Sequence, residues 1–196
     1  MIDTGNEQPA LAARTILVIG AARSGKSAYA QALAEADGRE PVYIATAGIH
    51  DAEMEARVAA HQEARDSRWR TVEAPLDLAA ALGRHGTADR IVLVDCLTLW
   101  LTNLMLGGHD IAAATENVTA CLPGLAGPVL FVSNEVGAGI VPDNRLARDF
   151  RDAQGRLNQA MARVCEAVVL VAAGLPLALK PSPAPRFRLS AGPEPT

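Results

Sequence analysis

Thr15-Ile-Leu-Val-Ile-Gly-Ala-Ala-Arg-Ser-Gly-Lys-Ser27 is the stretch whose reading decides the fold of this chain. Thr15 to Ile19 is a short apolar, β-branched run, the pattern of a strand buried on both faces. Gly20 to Ser27 follows at once and fits G-x-x-x-x-G-K-[ST], the Walker A phosphate loop. Ala28 to Ala36 are strong helix formers, so strand, loop and helix come in the order that such a loop needs. Gly20 and Gly25 allow backbone angles and approaches that a Cβ would block. The N–H groups of Gly20, Ala21, Ala22, Arg23, Ser24, Gly25, Lys26 and Ser27, with the helix start behind them, can then surround phosphate oxygens. Lys26 is placed to reach the β- and γ-phosphates, and the Ser27 hydroxyl to hold Mg²⁺. Lysine occurs only at Lys26 and Lys180, which makes its presence in this loop more telling.

Working outward, apolar strands alternate with helical stretches. Pro41 to Ala45 reads as a second strand, running into Thr46 and Ala47; Trp69 to Glu73 reads as a short third. Ile91 to Asp95 is a strong buried strand, Val129 to Ser133 another, and Ala167 to Ala172 a further one, with Leu177 to Leu179 a candidate for the last. Helices are expected over Asp51–Arg65, Leu76–Leu82 (closed by Gly83), Leu97–Leu106, Ile111–Leu122 and Asn144–Val164. In the last of these, Leu146, Phe150, Ala153, Leu157, Met161 and Val164 recur in steps of three and four, and Arg145, Arg148, Asp149, Asp152 and Arg156 take the other face. This alternation implies an α/β fold, a mostly parallel sheet with helices on both faces and ligands at the carboxyl ends of its strands. Residues 15–180 form the single expected domain, between a loose leader (1–14) and a disordered Pro-rich tail (181–196).

Bulk properties exclude several classes. The chain has 196 residues, 49% hydrophobic and 20% charged, which suits one globular domain with a substantial core. A net charge of −4 and the lack of a basic stripe interleaved with aromatics argue against nucleic acid. No apolar run reaches the ~18 residues of a membrane span. Cys96, Cys121 and Cys165 form no CxxC pair, so neither a zinc knuckle nor a disulfide framework is indicated, and a reducing cytoplasm is the simplest setting.

Other strand ends carry polar groups. Asp95 closes four apolar residues in a Walker B pattern and is a candidate Mg²⁺ ligand, although apolar strands ending in Asp are common. Glu135, after Ser133 and Asn134, could bind metal, act as a base, or belong to a plain turn before a helix; the sequence leaves these open. Arg57, His61 and Arg65 are spaced by four, on one helical stripe. Flanking cations favour a neutral imidazole, which can attack phosphorus. Spacing alone fits a solvated helix face at least as well.

Taken together these segments resemble one family, the bifunctional adenosylcobinamide kinase / adenosylcobinamide-phosphate guanylyltransferases of cobalamin biosynthesis. The resemblance rests on Gly20–Ser27, with Ala21 where the family has a second glycine, on Tyr43–Ala47, Asp51–Met54 with Arg57 and His61, and on Trp69–Glu73. It continues through Asp95–Leu104, Ser133–Arg148 and Phe150–Gln159, and so spans nearly the whole expected domain. It implies a RecA-like P-loop NTPase fold, assembly as a homotrimer and two reactions. GTP or ATP phosphorylates adenosylcobinamide, and GMP from GTP then passes to that phosphate through a covalent histidine, at the position of His61. Nucleotide contacts are implied at Gly20–Ser27, at Ala45, Thr46 and Ala47, at Gln62, Glu63, Ala64 and Arg65, and at Glu73 and Asp95. Two rival readings remain: a P-loop small-molecule kinase that lacks the transferase step, and a RecA-like ATPase acting on a macromolecule.

Overall fold

The computed structural model describes residues 12–48 and 67–181. The expectations for the start of the leader, for the Asp51–Arg65 helix with Arg57, His61 and the Gln62–Arg65 contacts, and for the tail beyond Pro181 lie outside the described residues.

The elements run β1 (Thr15–Gly20), α1 (Lys26–Asp37), β2 (Glu40–Ala45), β3 (Arg70–Glu73), α2 (Leu78–His85), β4 (Arg90–Asp95), α3 (Leu97–Leu106), α4 (Ile111–Cys121), β5 (Val129–Asn134), α5 (Arg145–Val164), β6 (Ala167–Ala172) and β7 (Leu175–Lys180). The strands make one sheet in the order β3-β2-β4-β5-β1-β6-β7. The first six are parallel to their neighbours, and β7 returns antiparallel to β6. Strand β5 is thus wedged between β1, which opens the phosphate loop, and β4, which ends at Asp95.

The period-2 alternation of the strands divides the core into two layers. Leu17, Val42, Ile44, Val92, Val94, Val129 and Phe131 point to one side, where α2, α3, α4 and α5 cover them. Val18, Tyr43, Ile91, Leu93, Leu130 and Val132 point to the other, under α1. Trp100, Phe131, Leu157 and Met161 are almost wholly buried; burial of each such side chain contributes roughly 1.5–3 kcal/mol. Asn144 caps α5 and Asp110 caps α4, each accepting from the backbone N–H three residues on, at 2.8 Å and 3.0 Å.

Several boundaries shift by a residue or more from expectation, and three of the shifts have a visible local setting. Helix α2 starts after Asp77 and runs through Gly83 to His85; the stop is Gly86, whose N–H donates to Leu82 O at 2.8 Å. Helix α4 ends at Cys121, followed by a 3₁₀ turn at Leu122–Gly124. Strand β7 covers Leu175–Lys180, longer than its apolar core suggests, and lies at one edge of the described sheet, where Pro176 is tolerated. Its Lys180 ammonium holds the carbonyls of Ala162, Arg163 and Cys165 at the end of α5, at 3.0, 3.1 and 2.5 Å. Leu146 and Val164, read as part of the buried stripe of α5, are largely exposed.

The β6–β7 turn is two residues, Ala173 and Gly174, with φ of 50° and 80°, as a tight primed hairpin requires. Its tip reaches the phosphate loop, where Gly174 N–H donates to Ser24 O at 2.8 Å. A Cβ on Gly20 would lie 2.5 Å from both Ser24 Oγ and the Val171 carbonyl oxygen. The backbone carbonyl cannot turn aside as a flexible side chain could, so Gly20→Ala should destabilise the protein by about 1–3 kcal/mol. Gly83, inside α2, has nothing within 4 Å of a built Cβ. Gly83→Ala should therefore stabilise by about 0.5–1 kcal/mol. Urea unfolding midpoints that move in opposite directions are the expected result; equal shifts would refute this account of the packing at Gly20.

Candidate active site at the carboxyl end of the sheet

The phosphate loop is held by its own backbone. Ser24 N–H donates to Ala21 O at 3.2 Å, and Glu135 N–H, at the end of β5, donates to Gly20 O at 3.0 Å. Arg23 and Gly25 take positive φ, 58° and 94°. The second is natural for glycine; the first is a cost that the rest of the loop must offset. Gly25 provides no side-chain cap and the first turn of α1 carries no acidic residue, so the positive end of the helix faces the loop. The Lys26 side chain folds back over the turn, with its ammonium 3.2 Å from Ala21 O, and the residue is only 9% exposed. Ala21, Ala22 and Arg23 are exposed, while Ser24 is buried with its hydroxyl unpartnered. These features together form a cationic, N–H-rich cradle for phosphate.

Beside it, β4 delivers Asp95 and the cis Asp95–Cys96 peptide. Two strand spacings separate β4 from β1, about 10 Å, a gap that a phosphate chain can bridge. Burial, with the Asp95 charge next in weight, pushes the Cys96 thiol up to about 11, and the nearby Lys26 charge acts in the opposite sense. Burial pushes Cys165 to about 12. Both stay neutral thiols and are poor nucleophiles.

The next strand ends are tied together. Thr46 is fully buried, and its hydroxyl donates to Cys96 O at 2.7 Å, so it ties the end of β2 to that of β4. Asn103 Nδ2 donates to Thr46 O at 2.7 Å and to Pro75 O at 3.0 Å, and Ala74 N–H donates to Ala45 O at 2.9 Å. Ala45, at the end of β2, is thereby fixed next to Glu73 on β3, with Thr46 and Ala47 just beyond and Glu73 exposed. The structure thus brings Gly20–Ser27, Ala45–Ala47, Glu73 and Asp95 to one end of the sheet; His61 and Gln62–Arg65 are outside the described residues.

Sequence reasoning missed the polar layer beneath the site. Ser133 Oγ donates to Asn158 Oδ1 at 2.6 Å, and Gln154 Nε2 bridges Ser133 Oγ and Asn158 Oδ1 at 2.9 and 3.0 Å. Asn158 Nδ2 donates to Asn134 O at 3.0 Å and to Glu135 Oε1 at 2.7 Å. Thr98 Oγ1 accepts from Asn134 N–H at 2.9 Å. Gln154 and Asn158 stand one helical turn apart beside the apolar Ala153, Leu157 and Met161, a signal available in the sequence. Among the described residues no group of three or more His, Cys, Asp or Glu could hold a metal by itself, and no helix is long and apolar enough to cross a membrane.

Comparison with known proteins agrees with this geometry. The profile of the family described as cobinamide kinase / cobinamide phosphate guanyltransferase matches residues 16–179. The bifunctional adenosylcobalamin biosynthesis protein CobP of Pseudomonas aeruginosa is 47% identical over 169 residues, 85% of this chain and 98% of that protein. CobU of Salmonella typhimurium is 41% identical over 180 residues, 84% of this chain and 99% of that protein. Among solved structures, the P4 protein of bacteriophage phi6 in complex with ADP is a loose likeness: TM-score 0.46, 16% identity, 87% of this chain and 56% of that one. A phosphate loop, a strand-end Asp95 and a profile match across the entire sheet lead to one conclusion: this chain belongs to the cobinamide kinase / cobinamide phosphate guanyltransferase family.

Proposed function

We propose that this chain phosphorylates the free hydroxyl of adenosylcobinamide with GTP or ATP, then transfers GMP from GTP to that phosphate, giving adenosylcobinamide-GDP and pyrophosphate. The observation that carries this reading is the phosphate cradle of Gly20–Ser27, with Lys26 folded over it and Asp95 two strands away, in a chain matched by the family from residue 16 to 179.

The loop N–H groups and the α1 terminus bind the phosphates, and the Lys26 ammonium meets negative charge as it moves from the γ- to the β-phosphate. Ser27 and Asp95 are the residues that would hold Mg²⁺. One hydroxyl and one carboxylate are hard oxygen donors and too few for a dedicated cage, which suits an ion that keeps water and phosphate oxygens as ligands. When bound, Mg²⁺ would neutralise phosphate charge. Lys26→Ala should lower kinase turnover by about 100-fold or more, the scale of one key electrostatic donor, with the fold intact by circular dichroism. Turnover within a few fold of wild type would remove Lys26 from the chemistry.

Guanylyl transfer requires attack at the α-phosphorus, a different displacement from γ-phosphoryl transfer. We assign the nucleophile to His61 on the family resemblance; a covalent histidine splits the transfer into two displacements. With GTP labelled at the α-phosphate, His61→Ala should trap no protein-bound label and lose transferase turnover, while kinase activity persists. Label that persists on the variant would move the nucleophile elsewhere, with His50 the next candidate.

We further infer a homotrimer. The free edge of β7 exposes Leu175 and Leu177, and the loop before α5 exposes Ile140 and Val141, apolar surface of the kind that subunit contacts cover. Sedimentation equilibrium at micromolar concentration should give three times the 20.5 kDa chain mass; a monomer or dimer would rule this assembly out.

A further inference from the structure

Three described parallel strand ends carry a carboxylate: Glu73 on β3, Asp95 on β4 and Glu135 immediately after β5. Their distances from the phosphate loop differ. Strand β3 lies four places from β1 and β4 two, whereas β5 is adjacent and Glu135 N–H is bonded to Gly20 O. Depth differs as well. Asp95 pairs with Val132, three positions before Glu135, so it sits about 10 Å deeper along the strand direction. Asp95 is half-buried at the floor, and Glu135 stands exposed at the rim.

The Glu135 side chain is also aimed. Asn158 Nδ2 holds its Oε1 at 2.7 Å. The Asn158 amide is itself fixed in orientation: its oxygen accepts from Ser133 and Gln154, and its nitrogen donates to Asn134 O as well as to Glu135. Gln154 and Ser133 are fully buried and Asn158 nearly so. Within this buried polar layer only Gln154 Oε1 lacks a partner among the described residues, and the layer ends on one solvent-facing carboxylate, Glu135. That arrangement positions a proton acceptor; a plain turn would not need it.

Resting on the kinase reading above, we propose that Glu135 is the general base of the phosphorylation step and that Asn158, held by Ser133 and Gln154, is its positioning residue. The acceptor hydroxyl oxygen forms a bond to the γ-phosphorus as the bond from that phosphorus to the β,γ-bridging oxygen breaks. The electron pair leaves with the nucleoside diphosphate, and the hydroxyl proton passes to the free Oε2 of Glu135 and then to water. Guanylyl transfer makes no such demand, because its acceptor is a phosphate already ionised at neutral pH. One side chain is therefore required in one reaction and dispensable in the other.

The test uses full-length enzyme and supplies the two acceptors separately: adenosylcobinamide with γ-labelled GTP or ATP, and adenosylcobinamide phosphate with α-labelled GTP. Glu135→Gln preserves shape and the Asn158 contact. It should lower kinase kcat by about 10²–10⁴-fold, the usual contribution of a general base, with the nucleotide KM unchanged. Transferase turnover should stay within about threefold. Asn158→Ala should lower kinase kcat in the same direction, again without a change in nucleotide KM, and its transferase activity reports that it has folded. Kinase turnover within tenfold of wild type in Glu135→Gln overturns the assignment, and so does an equal loss of both activities, which would make Glu135 part of the nucleotide site. A wild-type enzyme that transfers GMP but phosphorylates nothing overturns the kinase reading itself, a distinct failure that removes this proposal with it.

Discussion

Gly20 is where three pieces of chain meet in a space that will not admit one methyl group. The loop turn at Ser24, the Val171 carbonyl of β6 and the end of β1 converge there. Glu135 N–H holds the Gly20 carbonyl from the opposite side. The shape of the phosphate cradle is therefore not a property of the loop alone. It is imposed by the strands on either side of β1 and by the β6–β7 hairpin, whose tip bonds Ser24 O. Since the helix start and the Lys26 ammonium are both referred to that loop, the charge they offer a phosphate depends on this one close approach.

The same economy appears around Asp95. The strand ends beside it are joined through side chains whose polar atoms bond neighbouring backbone. The Thr46 hydroxyl goes to Cys96 O, and Asn103 bridges Thr46 O and Pro75 O. The result is a rigid rim before any substrate arrives, which lowers the ordering cost of binding.

Most of this fold was legible in the sequence. Parallel strands buried on both faces read as continuous β-branched runs, and β1, β2, β4, β5 and β6 fall where those runs lie. The phosphate loop was legible because its glycines, Lys26 and Ser27 are each demanded by one physical role. Harder to read were features whose logic is tertiary. Strand β7 is exposed and contains Pro176, so its pairing with β6 is visible only once the edge is known. Gly83 looked like a stop, yet the helix continues because nothing there opposes it. Gln154 and Asn158 were passed over because a polar residue on an amphipathic helix is ordinarily on the wet face. Here the partners that make their burial tolerable come from β5, more than a helix length away in sequence. For His61 the spacing of neighbouring arginines alone never favoured chemistry; the family resemblance did.

The position of β1 has a consequence for how the protein is made. Gly20 pairs with Asn134 on β5, and Ile19 with Leu170 on β6. Ribosomes add about 5–20 residues per second, so on the order of ten seconds separates the synthesis of the phosphate loop from that of the strands that shape it. Until then the Ile16–Ile19 run has both edges open, and no nucleotide can serve as a template, since the cradle does not yet exist. The nascent chain must shelter the apolar β1 run until β5 and β6 emerge. The loop precedes β5 and β6 in the chain and becomes able to bind phosphate only after both have been made.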